Sequence, residues 1–528
     1  MKKILSGLIA ALLLCLTAAG CSKSEALVLY FLTDAEPGTF DPQIASDSTA
    51  DAVVRNCFEG LVCLDDDGNV QPAAAERWEK SADGRVYTFY LRPGARWHVS
   101  ATAAEELADK LPENFAPALT AEDFRFALRR ALDPATGVEK AGELSNILNG
   151  AAVLAGEKTP DQLGVTAPQS DRLVIELEQP QEEFLRLLTQ PMCMPCNETF
   201  FNACGGRYGR KIRYIISNGP FFLTRFDENG CRIAKNPDYV GVRPAEADVI
   251  WLNYFRNMED RISALENDGY AGGFLPTDVL DRVHQNGRTT LIREPDGMRG
   301  FLFNCENALL KEPLLRAAII RSADITALCS DFSAVPAQQV LPASVGGAPA
   351  LPLTFNEASA KETLADALEK LGRKSVSLTI LCEERFDRPI RRMLQTWQRI
   401  FGIELNLSVQ TLSAEDLAAR IAGGDYEIAF TVCKAENAVA ADYAQQLFAL
   451  SRCDDAAGVR IVESLRYIGD TDREKTLASF QKMIADSFIF LPAWEEDTCF
   501  YCADDVVGVQ VQAGSVVYLQ NARLNVTE

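Results

Sequence analysis

The stretch from Thr39 to Trp97 is densely punctuated, and its punctuation dictates hairpins. Asp67-Gly68 and Asp83-Gly84 supply the positive φ that a tight turn between two strands requires. After the second turn, Tyr87, Phe89 and Leu91 fall on one face of a strand, because side chains alternate along an extended chain. Asp65-Asp66-Asp67-Gly68 has some of the carboxylates of a calcium loop. It lacks the alternating ligands and the distant glutamate, so it is read as a turn.

Farther along, the period changes. Leu173, Ile175 and Leu177 alternate as a half-buried strand, and Thr120-x-x-Asp123 is a capping box opening a helix whose face carries Phe124, Leu128 and Leu132. Between Lys361 and Val432 the pattern is clearest. Leu364, Leu368 and Leu371 make a helical stripe ended by Gly372; Val376, Leu378 and Ile380 alternate. Ile390, Met393, Leu394, Trp397, Ile400 and Phe401 trace the next helix face, followed by a strand at Ile403–Val409, a helix from Ser413 and a strand at Tyr426–Val432. Strands alternating with helices at this spacing predict parallel pairing in an α/β lobe, with ligands beyond the carboxyl ends of its strands. A chain of 528 residues exceeds a single core, so two or three lobes are expected.

The amino terminus reads as an export signal. Lys2 and Lys3 precede an apolar run, Ile4–Leu16, short for a membrane span and suited to a signal-peptide core. It ends in Thr17-Ala18-Ala19-Gly20-Cys21, which resembles the lipobox of bacterial lipoproteins, with Cys21 as the lipidated first residue of the mature chain. Residues 1–20 are then signal peptide and 21–26 a polar tether. A net charge of -22 argues against nucleic acid or an anionic lipid surface as partner.

Fifteen cysteines are present, thirteen beyond Cys15 and Cys21, and most lie in apolar surroundings that suit small core residues. The pairs Cys193/Cys196 and Cys499/Cys502 lie too far apart for a zinc ribbon, so core or turn roles are preferred and no metal or cofactor is expected. His98 and His284 are the only histidines. No nucleophile elbow, zinc helix, Walker loop or dinucleotide motif accompanies them, and no enzyme is read from the chain.

In their order, several of these strings resemble the family 5 extracellular solute-binding proteins, the oligopeptide- and dipeptide-binding components of ABC importers. The Thr39–Trp97 stretch resembles the first signature. Ser217-Asn218-Gly219-Pro220-Phe221 with Ile233–Tyr239 resembles the second, and Arg299–Asn304 with Leu315-Arg316-Ala317-Ala318 the third. Phe490–Trp494 and Val506–Val509 are similar to the family's return strands. Departures are the missing acid in Asn267–Gly272 and about twenty residues inserted at 99–118, with a helical piece at Ala101–Lys110, where the family has a short turn. The resemblance implies an α/β, two-lobed periplasmic-binding-protein-like fold with an extra N-terminal subdomain, mixed sheets and a hinge. Lobe one would comprise 27–45, 185–260 and 480–528, the extra subdomain 46–184, and lobe two 261–479.

It also implies a site. Peptide-binding relatives carry Gly-Trp-x-x-Asp after a lobe-two strand, where the backbone pairs with the ligand and the acid meets its α-ammonium. Here the matching stretch is Ala438-Val439-Ala440-Ala441-Asp442-Tyr443, without the glycine and tryptophan. Asp442 is the ammonium-binding candidate, with a helix N-cap as its alternative reading. Val439, Ala440 and Tyr443 join it as ligand-binding candidates, with Lys434 and Glu436 behind them. The implied protein is a monomeric, lipid-anchored extracytoplasmic binder at the cell membrane (in the periplasm if there is an outer membrane). It would deliver a small solute, a peptide first, to an ABC permease and its ATPase. A non-peptide solute such as a sugar or amine, or a surface sensor that keeps the fold, are the alternatives. If Cys21 is the lipid site, Cys21→Ser releases the protein from membranes; fractionation showing equal retention of variant and wild type refutes the anchor.

Overall fold

The structure, a computed structural model, describes residues 26–33, 36–255, 257–267, 269–275, 289–332, 334–346, 355–435, 439–453, 456–466 and 470–525. The export signal, Cys21, His284, Glu436 and Ala438 lie outside the described residues. No described helix is long and apolar enough to cross a membrane.

The hairpins form as the turn residues require. Strand β1 (Val28–Thr33) precedes the antiparallel pair β2 (Val62–Leu64) and β3 (Val70–Pro72), whose turn has Gly68 at φ +79° and the Asp65 carboxylate accepting the Asn69 N–H at 2.8 Å. The second hairpin joins β4 (Ala75–Lys80) to β5 (Val86–Leu91); with β6 (Val165–Gln169) and β7 (Arg172–Glu176) they make a four-stranded antiparallel sheet. Tyr87, Phe89 and Leu91 are buried against the helix and loops behind, and so are Leu173 and Ile175 opposite them. Helix Ala121–Leu132 covers this sheet with Phe124, Leu128 and Leu132, and its Asp123 carboxylate takes the Thr120 N–H at 2.7 Å. The inserted residues form a shorter helix than the composition predicts, Ala101–Glu106, because Leu107 turns into the core at 0% exposure and ends it.

One ten-stranded mixed sheet runs through the rest. Strands β8 (Phe221–Asp227), β9 (Gly230–Lys235) and β10 (Val249–Tyr254) form an antiparallel meander; β1 lies parallel to β10 and to β11 (Gly272–Leu275). Two long strands then carry the chain across, β12 (Thr289–Phe303) and β16 (Phe490–Ala503). At the far end β13 (Val376–Glu383) pairs in parallel with β14 (Leu405–Leu412) and β15 (Ile428–Lys434), as the alternating periods imply. The order is β14-β13-β15-β12-β16-β11-β1-β10-β9-β8. Short strands β17 (Val506–Val507), β18 (Gln510–Gln512), β19 (Val516–Tyr518) and β20 (Arg523–Leu524) close the chain.

The crossing falls within β12 and β16. Thr289–Glu294 faces Thr498–Ala503, beside β11, whereas Gly297–Phe303 faces Phe490–Glu496 and, on its other edge, β15. Between the halves, Pro295 and Asp296 bulge opposite Asp497. Proline cannot donate to a ladder, so a bulge is where a strand tolerates it. Beyond the crossing, period-two alternation divides two cores. Phe301, Phe303 and Ile380 meet Leu315, Leu364 and Trp397 on one face, while Leu302, Leu381 and Ala429 meet Leu417, Leu447 and Phe480 on the other. This end of the sheet is a helix–sheet–helix sandwich.

The first and second sequence signatures lock into each other. The Glu59 N–H donates to Asn218 Oδ1 at 3.1 Å, Asn218 returns a bond to the Glu59 carbonyl at 2.8 Å, and the Tyr239 hydroxyl donates to the Glu59 carboxylate at 2.6 Å. A Cβ on Gly219 would lie 2.7 Å from the Cys57 carbonyl carbon, so only glycine lets these backbones touch. Burial pushes the Glu59 carboxyl up to about 7, against the lowering pull of Tyr239 and Arg92. Because its folded value is raised, Glu59 supports folding fully below the unfolded pKa, and this support is lost as pH rises toward 7. Glu59→Gln, which stays neutral, is expected to gain on wild type by up to about 3 kcal/mol across that window. Urea unfolding at acid and neutral pH checks this; a pH-independent difference would refute it.

Candidate functional site

Lys434 is the last residue of β15, and the helix Ala440–Ser451 begins just beyond it. This is the carboxyl end of the parallel strands, where an α/β sheet leaves room for a ligand. Here a solvent-open cavity of about 490 Å³ separates Lys434 from Gln43, Asp47, Asp51, Arg55, Glu139 and the turn Gly514-Ser515-Val516. A narrow side chamber of about 20 Å³, enough for about one water, shares Glu143 and Gln190 with it and is lined by Val439, Asp442, Gln181, Glu183, Arg186 and Leu465. The two spaces make one cleft, walled by the two halves of the molecule.

Of the residues read from sequence, Asp442 and Val439 line the chamber. Asp442 is half-buried in the first turn of its helix, and the N-cap is Val439, which makes no side-chain capping bond. The capping alternative for Asp442 is thereby corrected: its carboxylate lies in the first turn, near the positive end of the helix dipole, without being the cap. Ala440 and Tyr443 do not line the chamber. Ala440 is 5% exposed and packs in the core behind the cleft, and Tyr443 is 1% exposed with its hydroxyl donating to the Val340 carbonyl at 2.8 Å. Helical spacing turns Tyr443 away from the chamber when Asp442 faces it. His98 lies elsewhere, its Nδ1 2.7 Å from the Asp238 carboxylate. Cys193, Cys196, Cys499 and Cys502 are all buried, and burial pushes the Cys499 and Cys502 thiols up to about 11. Among the described residues no cluster of histidines, cysteines and acids has the makings of a metal site.

The chamber holds three carboxylates, Glu143, Glu183 and Asp442, against one guanidinium, Arg186. Glu183 also pairs with Arg473, which reaches over from helix Asp470–Ser487 and bonds the Val345 carbonyl at 3.1 Å. That ion pair ties the two walls together. Sequence reasoning missed Glu143, Glu183, Arg186 and Arg473, since residues so far apart in the chain share no local pattern.

Behind the cleft, the crossing bulge is pinned by Asp296, at 0% exposure. Its Oδ2 accepts the Thr498 hydroxyl at 2.7 Å and the Gly514 N–H at 2.8 Å, and its carbonyl accepts the Ala435 N–H at 2.7 Å. Its Oδ1 faces the Lys434 ammonium at 3.9 Å, and that ammonium donates to Thr498 at 2.7 Å. Both cleft walls, at Lys434 and Gly514, thus hang from one buried carboxylate.

A two-walled cleft crossed by two strands defines a solute-binding protein of the periplasmic type. Residues 69–452 match the model of the bacterial extracellular solute-binding proteins, family 5 (middle region), and the chain belongs to that family. Among its relatives, "Probable deoxycholate-binding periplasmic protein YgiS" of Escherichia coli (strain K12) is 30% identical over 402 residues, 72% of this chain and 70% of that one. The oligopeptide-binding protein OppA of Bacillus subtilis (strain 168) is 26% identical over 392 residues, 70% of this chain and 69% of its own. The fold matches Listeria monocytogenes OppA bound to peptide at a TM-score of 0.74 and 19% identity, over 96% of this chain and 100% of that chain. It matches the substrate-binding domain of an oligopeptide ABC transporter from Bacillus anthracis at 0.73 and 23% identity, over 95% and 100%.

Asp296→Ala would strand the Gly514 N–H and the Thr498 hydroxyl without an acceptor, at a cost of about 3 kcal/mol. Asp296→Asn keeps an acceptor and is expected to cost clearly less. Urea denaturation separates them; equal losses would locate the effect in the charge opposite Lys434 instead.

Proposed function

We propose that this protein captures a peptide with a free amino terminus between its two walls and hands it to an ABC permease for import. The observation that carries this reading is the position of Asp442 in a chamber that it shares with Glu143 and Glu183, of which Glu183 is paired with Arg186 and Arg473. Such a chamber attracts a cation, and an ammonium there gains a charge-assisted hydrogen bond in a low-dielectric cleft. Peptide is also what the printed names of several relatives and structural neighbours specify. Closure would rotate the halves about the Pro295–Asp296 bulge and Asp497. On this reading the lobes divide near residues 295–297 and 496–498, inside the two long strands, instead of at 260 and 480.

The bile-salt name of one relative and the absent tryptophan at Val439 favour a second reading, a non-peptide solute. An anionic carboxylate would be repelled by the Asp442 chamber, which ranks this reading lower. We also propose export, lipidation at Cys21, work as a monomer on the extracytoplasmic face, and binding without catalysis or cofactor.

Mass spectrometry of the solute that co-purifies identifies the ligand. For a free-amine peptide, Asp442→Asn is expected to weaken binding about ten- to a hundredfold, since a charge-assisted bond contributes roughly 1.5–3 kcal/mol. The N-acetylated peptide should bind variant and wild type alike. Calorimetry on the four combinations tests this, and equal affinity of the free peptide for both proteins would overturn the role of Asp442.

A further inference from the structure

Thirteen cysteines lie among the described residues as thiols, and ten of them are buried. Only Cys63, Cys305 and Cys453 are half-exposed. Cys63 sits in the β2–β3 hairpin, where its thiol faces the Pro72 carbonyl at 3.7 Å. The other two, far apart in sequence, lie on chain segments that meet, and the Cys453 thiol is the first influence that raises the Cys305 thiol. The backbone holds them there. The Cys305 N–H donates to the Ser451 carbonyl at 2.8 Å, so the chain just past β12 lies alongside the end of helix Ala440–Ser451. That helix stops at Arg452, whose φ of +54° turns the chain and whose guanidinium donates to the Ala422 carbonyl at 2.5 Å. Cys453 follows this turn directly.

We propose that Cys305 and Cys453 are a modification site, a dithiol that closes to a disulfide when the protein meets a small-molecule disulfide. Two cysteines can be bridged only when the backbone brings them close, and the bond from the Cys305 N–H to Ser451, two residues before Cys453, does so. Half-exposure lets an oxidant reach them, whereas the ten core thiols are shielded. The compartment fits as well, since extracellular proteins meet oxidants that cytosolic ones do not. In the reaction, one cysteine thiolate attacks the small disulfide, forming a mixed disulfide and releasing one small thiol. The second cysteine, losing its proton, attacks the protein sulfur of that mixed disulfide and expels the second small thiol. Two protein thiols are oxidised and one disulfide is reduced to two thiols. Both residues lie on the β15 side of the crossing, so the bridge staples that half internally and leaves the cleft walls free. The hydrogen bond with Cys453 and burial hold the Cys305 thiol up, which makes mildly alkaline pH the right condition.

The experiment treats the purified full-length protein with excess oxidised glutathione, quenches with iodoacetamide, digests without reduction and maps peptides by mass spectrometry. The expected product is a peptide pair joined through Cys305 and Cys453, lighter by two hydrogens. Cys63 is expected as an alkylated thiol or glutathione adduct. The melting temperature should rise by a few degrees and fall back with reductant, because the bridge restricts the unfolded chain. Cys305→Ser should abolish both the joined peptide and the rise, leaving Cys453 with glutathione; Cys453→Ala is the second control if that variant does not fold. Recovery of Cys305 and Cys453 from wild type as separate adducts, as alkylated thiols, or joined to other cysteines overturns the proposal.

Discussion

The whole molecule depends on the pairing of β12 with β16. Of the ten strands in the main sheet, these two alone have one half in each body. Every force between the bodies along the sheet passes through them, and any relative rotation must be absorbed where their ladder is irregular. The irregularity is one bulge at Pro295–Asp296 and another beyond Arg299. On the far side Arg299 holds the pair rigid. It is 2% exposed, bonded to the Glu496 carboxylate and to Glu383 at 3.2 Å, with its guanidinium 4.6 Å from the Phe386 ring centroid. A charge so deeply placed is tolerable only because carboxylates from β16 and β13 surround it. The ladder is thus interrupted at a bulge that Asp296 pins and is braced beyond it by Arg299.

The same crossing shapes the electrostatics of the cleft. Asp296 sits behind the wall and fixes Lys434 through Thr498, and the larger cavity mixes Lys434, Lys140 and Arg55 with Asp47, Asp51, Glu139 and Glu143. The smaller chamber around Asp442 is acidic, and it lies at the start of a helix. The stronger neutralisation between Glu183, Arg186 and Arg473 belongs to the walls themselves and ties them together.

Much of the scaffold was legible because its causes are local. Asp-Gly turns force positive φ, alternation of Tyr87, Phe89 and Leu91 follows from the pleat, and the face from Ile390 to Phe401 follows from the helical period. Gly219 and Glu59 could be recognised as parts of motifs, yet their reason is a contact across the fold: a glycine against the Cys57 backbone, a glutamate between Asn218 and Tyr239. The helix at 101–106 came out short for a tertiary cause, the burial of Leu107.

The site was legible only in part. The sequence by itself determined that an acid, Asp442, follows the last parallel strand, because strand period and motif order are both properties of the chain. It could not show which side chains of that turn face the cleft. Helix phase decided this, putting Asp442 and Val439 in the chamber and Ala440 and Tyr443 in the core. Nor could it show that Pro295-Asp296-Gly297 lies mid-strand. A bulge needs a partner strand to be a bulge, and that partner, β16, comes from the far end of the chain. Glu143, Glu183, Arg186 and Arg473 meet at Asp442 for the same reason: the bodies that carry them are brought face to face only when the sheet closes across its two shared strands.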